Sequence, residues 1–473
     1  MKSAKDLGTA SAGELLELYE KRALSPVEAM SALFERIERL EPKLNAFSLL
    51  DREGALAAAR ESERRWQKGK PKGALDGVPV TIKDLILMRG FPTLRGSRLV
   101  KRDQDWSEDA PASARLREAG AILFAKTTTP EFGWKAIGDS PLTGITRNPW
   151  NTEHTPGGSS AGAAAACAAG LGPLHLGSDG GGSIRIPSAF TGVFGLKPSF
   201  GRVPAYPLST MGQLAHIGPM ARSVRDAALM LTVIAGPDDR DPYALPPAKR
   251  DWTKGLEKGV KGWRIAFSPN LGYARVAPEI AASVAKAARV FASEGAEVEE
   301  VGEIFPSPRE AIFTLWAAGA AKLLEGFTGE ERALADPGLV ALAKKGEAIP
   351  AIGYIGADAL RAVLGRTMAA FHRKYDLLLT PSVPIPALLV GQDLDNVQKE
   401  GAGAQKEGVW TDWTPFSYPF NMTRQPAASI PCGLTSEGLP IGLQIVGPLY
   451  ADQRVLRAAR AFEKTQKPLC PPL

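Results

Sequence analysis

Short apolar runs that alternate with helical stretches constrain this chain more than any other feature of its sequence. Residues 77–83 read as a buried strand, with Val78, Val80 and Ile82 apolar, that ends on Lys83-Asp84. A helix at 112–119 precedes an apolar run at 121–125, and an Ala-rich helix at 161–169 precedes another at 174–177. Further strands are predicted at 263–267, 377–380 and 441–446, with helices at 277–294 and 451–464. The chain opens with helices at 11–22 and 25–40, the second with Ser25 as N-cap and Pro26 at the first helical position, and a charged helix follows at 52–68. Alternation of this kind predicts an α/β protein: a mixed, mostly parallel central sheet covered by helices. Residues 237–247 are the best linker candidate, but strand-like segments on both sides can share one sheet, so a single large domain over 1–473 is expected. Residues 391–413 are Gly- and charge-rich with scattered Trp and read as a long excursion, a kind of loop that is often functional. With Trp410, Trp413, Phe416 and Tyr418, residues 389–420 either line a substrate pocket or form a surface flap packed by its own aromatics.

With 44% hydrophobic and 23% charged residues, the 473-residue chain can bury a substantial core. Its net charge of +6 is spread along the sequence without a basic block interleaved with aromatics, so no nucleic-acid partner is expected. No run of eighteen apolar residues occurs, which argues against a membrane-spanning helix and a membrane partner. The N-terminal residues mix charge with small side chains and lack the apolar stretch of a signal peptide. Cys167, Cys432 and Cys470 are few, odd in number and far apart, which suits a reducing cytoplasm better than a disulfide framework.

The chemistry concentrates in residues 155–198. The segment begins Thr155-Pro156-Gly157-Gly158-Ser159-Ser160-Ala161-Gly162 and reaches Ser178-Asp179-Gly180-Gly181-Gly182-Ser183-Ile184-Arg185. Three consecutive glycines free the backbone of Cβ atoms, so that N–H groups can converge beside the Ser183 hydroxyl as an oxyanion hole. One such donor is worth about 3–4 kcal/mol to a transition state. A serine nucleophile also needs a base. The chain has four histidines, His154, His175, His216 and His372, of which His175 falls in a strand and His372 on a charged helix. Lys83 is the other candidate, since burial at the end of an apolar strand can hold its amine neutral and able to accept a proton. The alternative is a lysine paired with Asp84 at a strand end. Gly158-Ser159-Ser160-Ala161-Gly162 also satisfies the G-x-S-x-G pattern, which points to Ser160. That pattern requires a strand directly before it, and residues 148–156 are polar and proline-bounded.

The segment resembles the amidase signature of bacterial and eukaryotic amidases, a family that includes the glutaminase subunit of tRNA-dependent amidotransferases and the fatty-acid amide hydrolases. Around it, Gly77-Val78-Pro79-Val80-Thr81-Ile82-Lys83-Asp84 is similar to the family's lysine strand. Lys126-Thr127, Pro130-Glu131-Phe132-Gly133, Asn148-Pro149-Trp150, Asp376 through Pro381 and Gly438 through Gly447 resemble later blocks in the family's order. The likeness runs from about residue 15 to 462, with the signature core at about 77–200. It implies the amidase signature fold and a Ser–Ser–Lys triad of Ser183 as nucleophile, Ser159 as a bridging serine held in a cis peptide, and Lys83 as base. It implies further that Gly180, Gly181 and Gly182 supply oxyanion donors, that Asp179 and Arg185 hold the loop in shape, and that the backbone of Gly133 faces the substrate.

On this reading the chain hydrolyses a small-molecule amide through an acyl-enzyme, with no cofactor and no metal, and a homodimer is an allowed assembly. Two departures stand out. Gly180 occupies a place where many relatives carry a side chain, and Ala161-Gly162 replaces Gly-Gly, a change that helix propensity favours. Ile186 follows Arg185 where the amidotransferase subunits tend to carry Gln, which leans toward an aryl- or acyl-amidase. The alternatives are a non-catalytic scaffold of the same fold and a glutaminase-type subunit of an amidotransferase complex.

Overall fold

The computed structural model describes residues 9–248, 250–392 and 410–473. Within them eleven strands share one sheet. They are β1 (Phe47–Leu50), β2 (Pro79–Lys83), β3 (Ile122–Thr127), β4 (Leu174–Asp179), β5 (Phe194–Lys197), β6 (His216–Ala221), β7 (Arg264–Phe267), β8 (Glu297–Glu300), β9 (Leu377–Pro381), β10 (Ala427–Leu434) and β11 (Pro440–Val446). Their order across the sheet is β1-β3-β2-β4-β6-β5-β10-β11-β9-β7-β8. Strands β3, β2 and β4 form one parallel wing, and β9, β7 and β8 form the other. Antiparallel pairing through β6, β5, β10 and β11 joins the wings, and β1 closes the outer edge antiparallel to β3. The wings lie where strands alternate with helices, because a parallel pair needs a crossover connection.

Every strand expected from the sequence lies in this sheet, and strands from both sides of residues 237–247 take part. Helices form an α/β envelope close to the predicted bounds, among them Pro111–Glu118, Ala161–Ala168, Pro278–Ser293 and Asp452–Glu463. The helix Pro26–Leu44 starts with the expected cap: the Glu28 N–H donates to the Ser25 hydroxyl, and the Glu28 carboxylate accepts from the Ser25 N–H. It continues past residue 40 and ends where Asn45 turns left-handed. Five strands were not expected from the sequence, β1, β5, β6, β8 and β10, and three of them carry their own explanation. β6 contains Pro219, and β10 contains Pro431 at a break in register, so proline hides both from a pattern search. β8 is a charged, solvent-facing edge strand.

Two apolar layers sandwich the sheet. Val80 and Ile82 of β2, and Val78 just before it, point into one of them, and the period of two turns Thr81 and Lys83 to the opposite face. The second layer contains Trp316, Trp410, Trp413, Phe416, Tyr418 and Phe420. Of the predicted excursion, residues 393–409 lie outside the described residues. Its described aromatics are buried, and Trp413 stacks on Phe190 of the signature segment with ring centroids 6.0 Å apart. That part is therefore not a flap packed only on itself. Among the described residues no single helix is long and apolar enough to cross a membrane.

The helix Ala161–Ala168 has no exposed residue at all. Its small side chains let it pass between packed layers, and its first turn follows directly on Ser159-Ser160. A Cβ at Gly162 would stand 2.1 Å from the Ala46 carbonyl oxygen and 2.5 Å from the Thr128 nitrogen, both backbone atoms that cannot step aside. Gly162→Ala is therefore expected to destabilise the fold by about 1–3 kcal/mol despite alanine's better helix propensity, read as a lower Tm in calorimetry.

Candidate active site

β2 and β4 run side by side in parallel, with Ile82 opposite Leu176, and this register brings the C-terminal end of each strand to one place. There the Lys83 Nζ lies 2.7 Å from the Ser159 Oγ and 3.0 Å from the Ser178 Oγ. The Gly158–Ser159 peptide bond is cis. Lys83 is fully buried, and burial pushes its amine well below the ordinary lysine range, with the negative charge of Asp179 pulling the other way. The pairing with Asp84 that the sequence allowed is not made. Asp84 lies on the other face of the strand and binds Lys126 at 3.1 Å, which leaves Lys83 without a carboxylate in contact. A buried amine in that position is cheapest when neutral.

Ser183 closes the loop that follows β4. The Ser160 N–H donates to the Ser183 carbonyl at 3.1 Å, tying the two serine segments together through their main chains. Among the described residues no hydrogen bond joins the Ser159 and Ser183 hydroxyls, and the Ser183 side chain is the more exposed, at 7% against 2%. The loop itself is shaped by Asp179. Its carboxylate accepts from the Gly182 N–H at 2.8 Å, the Ile184 N–H at 3.2 Å, two guanidinium nitrogens of Arg185 at 2.9 and 3.0 Å, and the Asn421 amide at 2.9 Å. These contacts hold the Asp179 carboxyl well below the usual carboxylate range in spite of its complete burial. The Gly182 N–H, expected among the oxyanion donors, is engaged by the Asp179 carboxylate.

The network spreads beyond the predicted residues. Arg185 also donates to the Ser417 carbonyl and the Gln444 amide oxygen, both at 2.8 Å, and to the Asn421 amide oxygen at 2.6 Å. The Ser417 hydroxyl donates to the Gly181 carbonyl at 2.6 Å. Ser178, Ser417, Asn421 and Gln444 were not singled out from sequence. Gln444 left a trace, because a lone amide inside the apolar run of β11 must find partners when buried. Ser417 and Asn421 left none.

Gly133 has a left-handed φ of 73°, and a Cβ there would stand 3.0 Å from the Ser159 Oγ and 2.8 Å from Leu85, so only glycine lets the chain pass so close to Ser159. Ser160 is fully buried, and its hydroxyl donates to the Ser178 carbonyl and accepts from the Ser178 N–H, which locks it to β4. No strand precedes it. His175 bonds Thr81 and the Gly172 carbonyl, His216 the Leu214 carbonyl and His372 the Tyr375 carbonyl. Among the described residues no histidine is hydrogen-bonded to either serine.

The glycines of the loop are also contact surfaces. A Cβ at Gly180 would meet the Trp316 ring at 3.0 Å, and one at Gly181 would run into the Trp410 ring at 2.3 Å. The two indoles meet edge to face with centroids 4.9 Å apart, and the Trp316 N–H is held by the Trp134 carbonyl at 2.9 Å. The space that a side chain at 180 would take is thus filled by an aromatic wall, and the loop is not loosened by the extra glycine.

Known proteins share this arrangement of chain. The profile of the amidase family matches residues 28–456. An acylamidase of Rhodococcus erythropolis is 38% identical over 462 residues, which cover 97% of this chain and 96% of that protein. A glutamyl-tRNA(Gln) amidotransferase subunit of Agathobacter rectalis is 34% identical, over 98% of this chain and 95% of its own. Among solved structures, a bacterial aryl acylamidase of the amidase signature enzymes superimposes with a TM-score of 0.88 at 33% identity, covering 97% of this chain and 96% of that one. The 6-aminohexanoate cyclic dimer hydrolase in complex with its substrate gives 0.85 at 29% identity, covering 98% and 99%.

Asp179 and Arg185 are both wholly buried, so removing one strands the other's charge. Arg185→Met is expected to cost about 3–5 kcal/mol in a denaturant titration.

Proposed function

The chain belongs to the amidase family, and from that premise we propose that it is a stand-alone amidase working through an acyl-enzyme on Ser183, with Ser159 as proton relay and Lys83 as base. It is an amide-hydrolysing enzyme. The observation that carries the proposed mechanism is a fully buried lysine with no carboxylate in contact, 2.7 Å from a serine hydroxyl.

In the proposed cycle neutral Lys83 takes the Ser159 proton while Ser159 takes that of Ser183. The Ser183 hydroxyl has no competing hydrogen bond among the described residues and turns toward Ser159 for this step. Ser183 then attacks the amide carbonyl, and the N–H groups of Gly180, Gly181 and Ser183 receive the negative oxygen. The relay runs backward to protonate the departing nitrogen, which an amide requires because its anion is too poor a leaving group. Water releases the acid by the same path. The Ser178 hydroxyl and carbonyl, at 3.0 and 3.5 Å from the Lys83 Nζ, accept the hydrogens that the amine keeps and so orient its lone pair.

A glutaminase subunit of an amidotransferase is the second reading, favoured by the relatives that are glutamyl-tRNA(Gln) amidotransferase subunits. Against it, Ile186 is buried where such subunits tend to carry Gln, and Trp316 and Trp410 present aromatic surface beside the nucleophile. These features support an aryl or acyl amide as substrate. The purified chain alone is expected to hydrolyse aryl or aliphatic amides; activity on glutamine only, and only with added partner subunits, would replace the first reading by the second.

Ser183→Ala is expected to abolish the covalent acyl adduct detected by mass spectrometry, and an adduct that persists overturns the nucleophile. Lys83→Ala is expected to lower kcat by about 10²–10⁴-fold, the span of a general base. The pH profile follows from the sign of the Lys83 shift. The amine must be unprotonated to act, so activity falls as pH drops through its depressed pKa and is kept above it. The rising limb of kcat/KM should therefore lie well below the ordinary lysine value of about 10.4 and vanish in Lys83→Ala.

A further inference from the structure

A cavity of about 150 Å³ reaches Ser178, one contact away from Lys83. Ser178, whose hydroxyl touches Lys83, forms part of its wall, and so does Leu85, which packs beside Gly133. The rest is largely apolar, with Ile86, Phe132, Met211 and Ile217. Engineered apolar cavities of roughly this volume hold a benzene ring.

One charged residue breaks this apolar lining. Arg95 lies in the wall, its carbonyl accepting the Phe132 N–H at 2.7 Å and its backbone fixed in a left-handed turn with φ 57°. Its guanidinium makes no hydrogen bond among the described residues. Burial pushes it below its ordinary value, and the carboxylate that opposes this is Asp84. Asp84, however, is already bound to Lys126 at 3.1 Å and to the backbone N–H groups of residues 95 and 96. Asp84 therefore meets Lys126 in a direct ion pair and acts on the Arg95 guanidinium only through its field. Arg95 is half-buried, so water can meet its guanidinium, and an acceptor on a ligand entering the cavity would take the place of that water. The planar fork of the guanidinium matches a carboxylate in two parallel hydrogen bonds.

We propose that this cavity receives one arm of the substrate amide and that Arg95 binds a carboxylate at the end of that arm. The enzyme then prefers amides of a dicarboxylic acid or of an aminocarboxylic acid, in which a ring or short chain separates the amide from the acid. Arg95 is a specificity residue on this account and takes no part in the proton relay. The proposal rests on the amidase reading above, because the cavity matters as a substrate subsite only if Ser183 is the nucleophile.

Two matched pairs of anilides test it. Butyranilide and succinanilic acid differ by a carboxylate on the acyl arm, and acetanilide and 4-acetamidobenzoate differ by one on the amine arm. The native enzyme is expected to favour the carboxylated member of one pair. Arg95→Met should lower kcat/KM for that member by about tenfold to a hundredfold, the worth of a charged hydrogen bond, chiefly through KM. The neutral member should stay within about twofold, which also shows that the variant folds, and Arg95→Lys should recover part of the preference. No preference in the native enzyme, or an equal loss on both members of each pair, overturns the role of Arg95 and leaves the amidase intact. Failure of the native enzyme on both neutral anilides, with no adduct at Ser183, overturns the amidase reading and this proposal with it.

Discussion

The carboxylate of Asp179 is the point on which the site hangs. A buried anion is tolerated only when it is fully met by donors, and meeting it enlists parts of the chain that are far apart in sequence. Two backbone N–H groups of the loop around Ser183, the guanidinium of Arg185 and the amide of Asn421 converge on it. Through Arg185 the same network reaches Ser417 and, in β11, Gln444. The glycine loop would otherwise be among the most pliable stretches of the molecule. With its shape fixed by one ion, its remaining N–H groups can be aimed in advance, which is how an oxyanion site gains its strength.

Charge placement on β2 shows the same economy. Alternation along a strand sends Lys83 and Asp84 to opposite faces, so the acid that is its neighbour in sequence is not its neighbour in space. Lys126 of the adjacent strand takes Asp84, and the lysine beside the serines is left alone in a dry environment. Two lysines a few residues of sheet apart thereby acquire different surroundings: burial lowers both, but one is opposed by a carboxylate in contact and the other is not.

Much of this could be read before any coordinates. The strand ending at Lys83, the triple glycine before Ser183 and the Ala-rich helix are local features whose period or composition speaks directly, and the structure places all three together. The α/β class followed from the same alternation. What stayed hidden is non-local. Nothing in the order of residues says that Lys126 will claim Asp84, that Asp179 will take the N–H of Gly182, or that Trp316 will fill the space opened by Gly180. The prolines of β6 and β10 masked two central strands, because their missing N–H groups are absorbed by local register that only the assembled sheet reveals. Ser417 and Asn421 look like ordinary loop residues until the ion they serve is in view.

The fully buried helix that follows Ser159 has a bearing on how such an enzyme can change over generations. Each of its residues meets protein on every side, so almost any larger side chain there is punished, and the floor beneath Ser159 is frozen. The walls are not. Trp134, Trp316 and Trp410, and the cavity lined by Phe132, Met211 and Arg95, are contributed by segments outside that helix. New substrates can therefore be reached by substitutions in the walls while the bond-breaking apparatus stands still, a division of labour in which diversification and chemistry draw on separate parts of one chain.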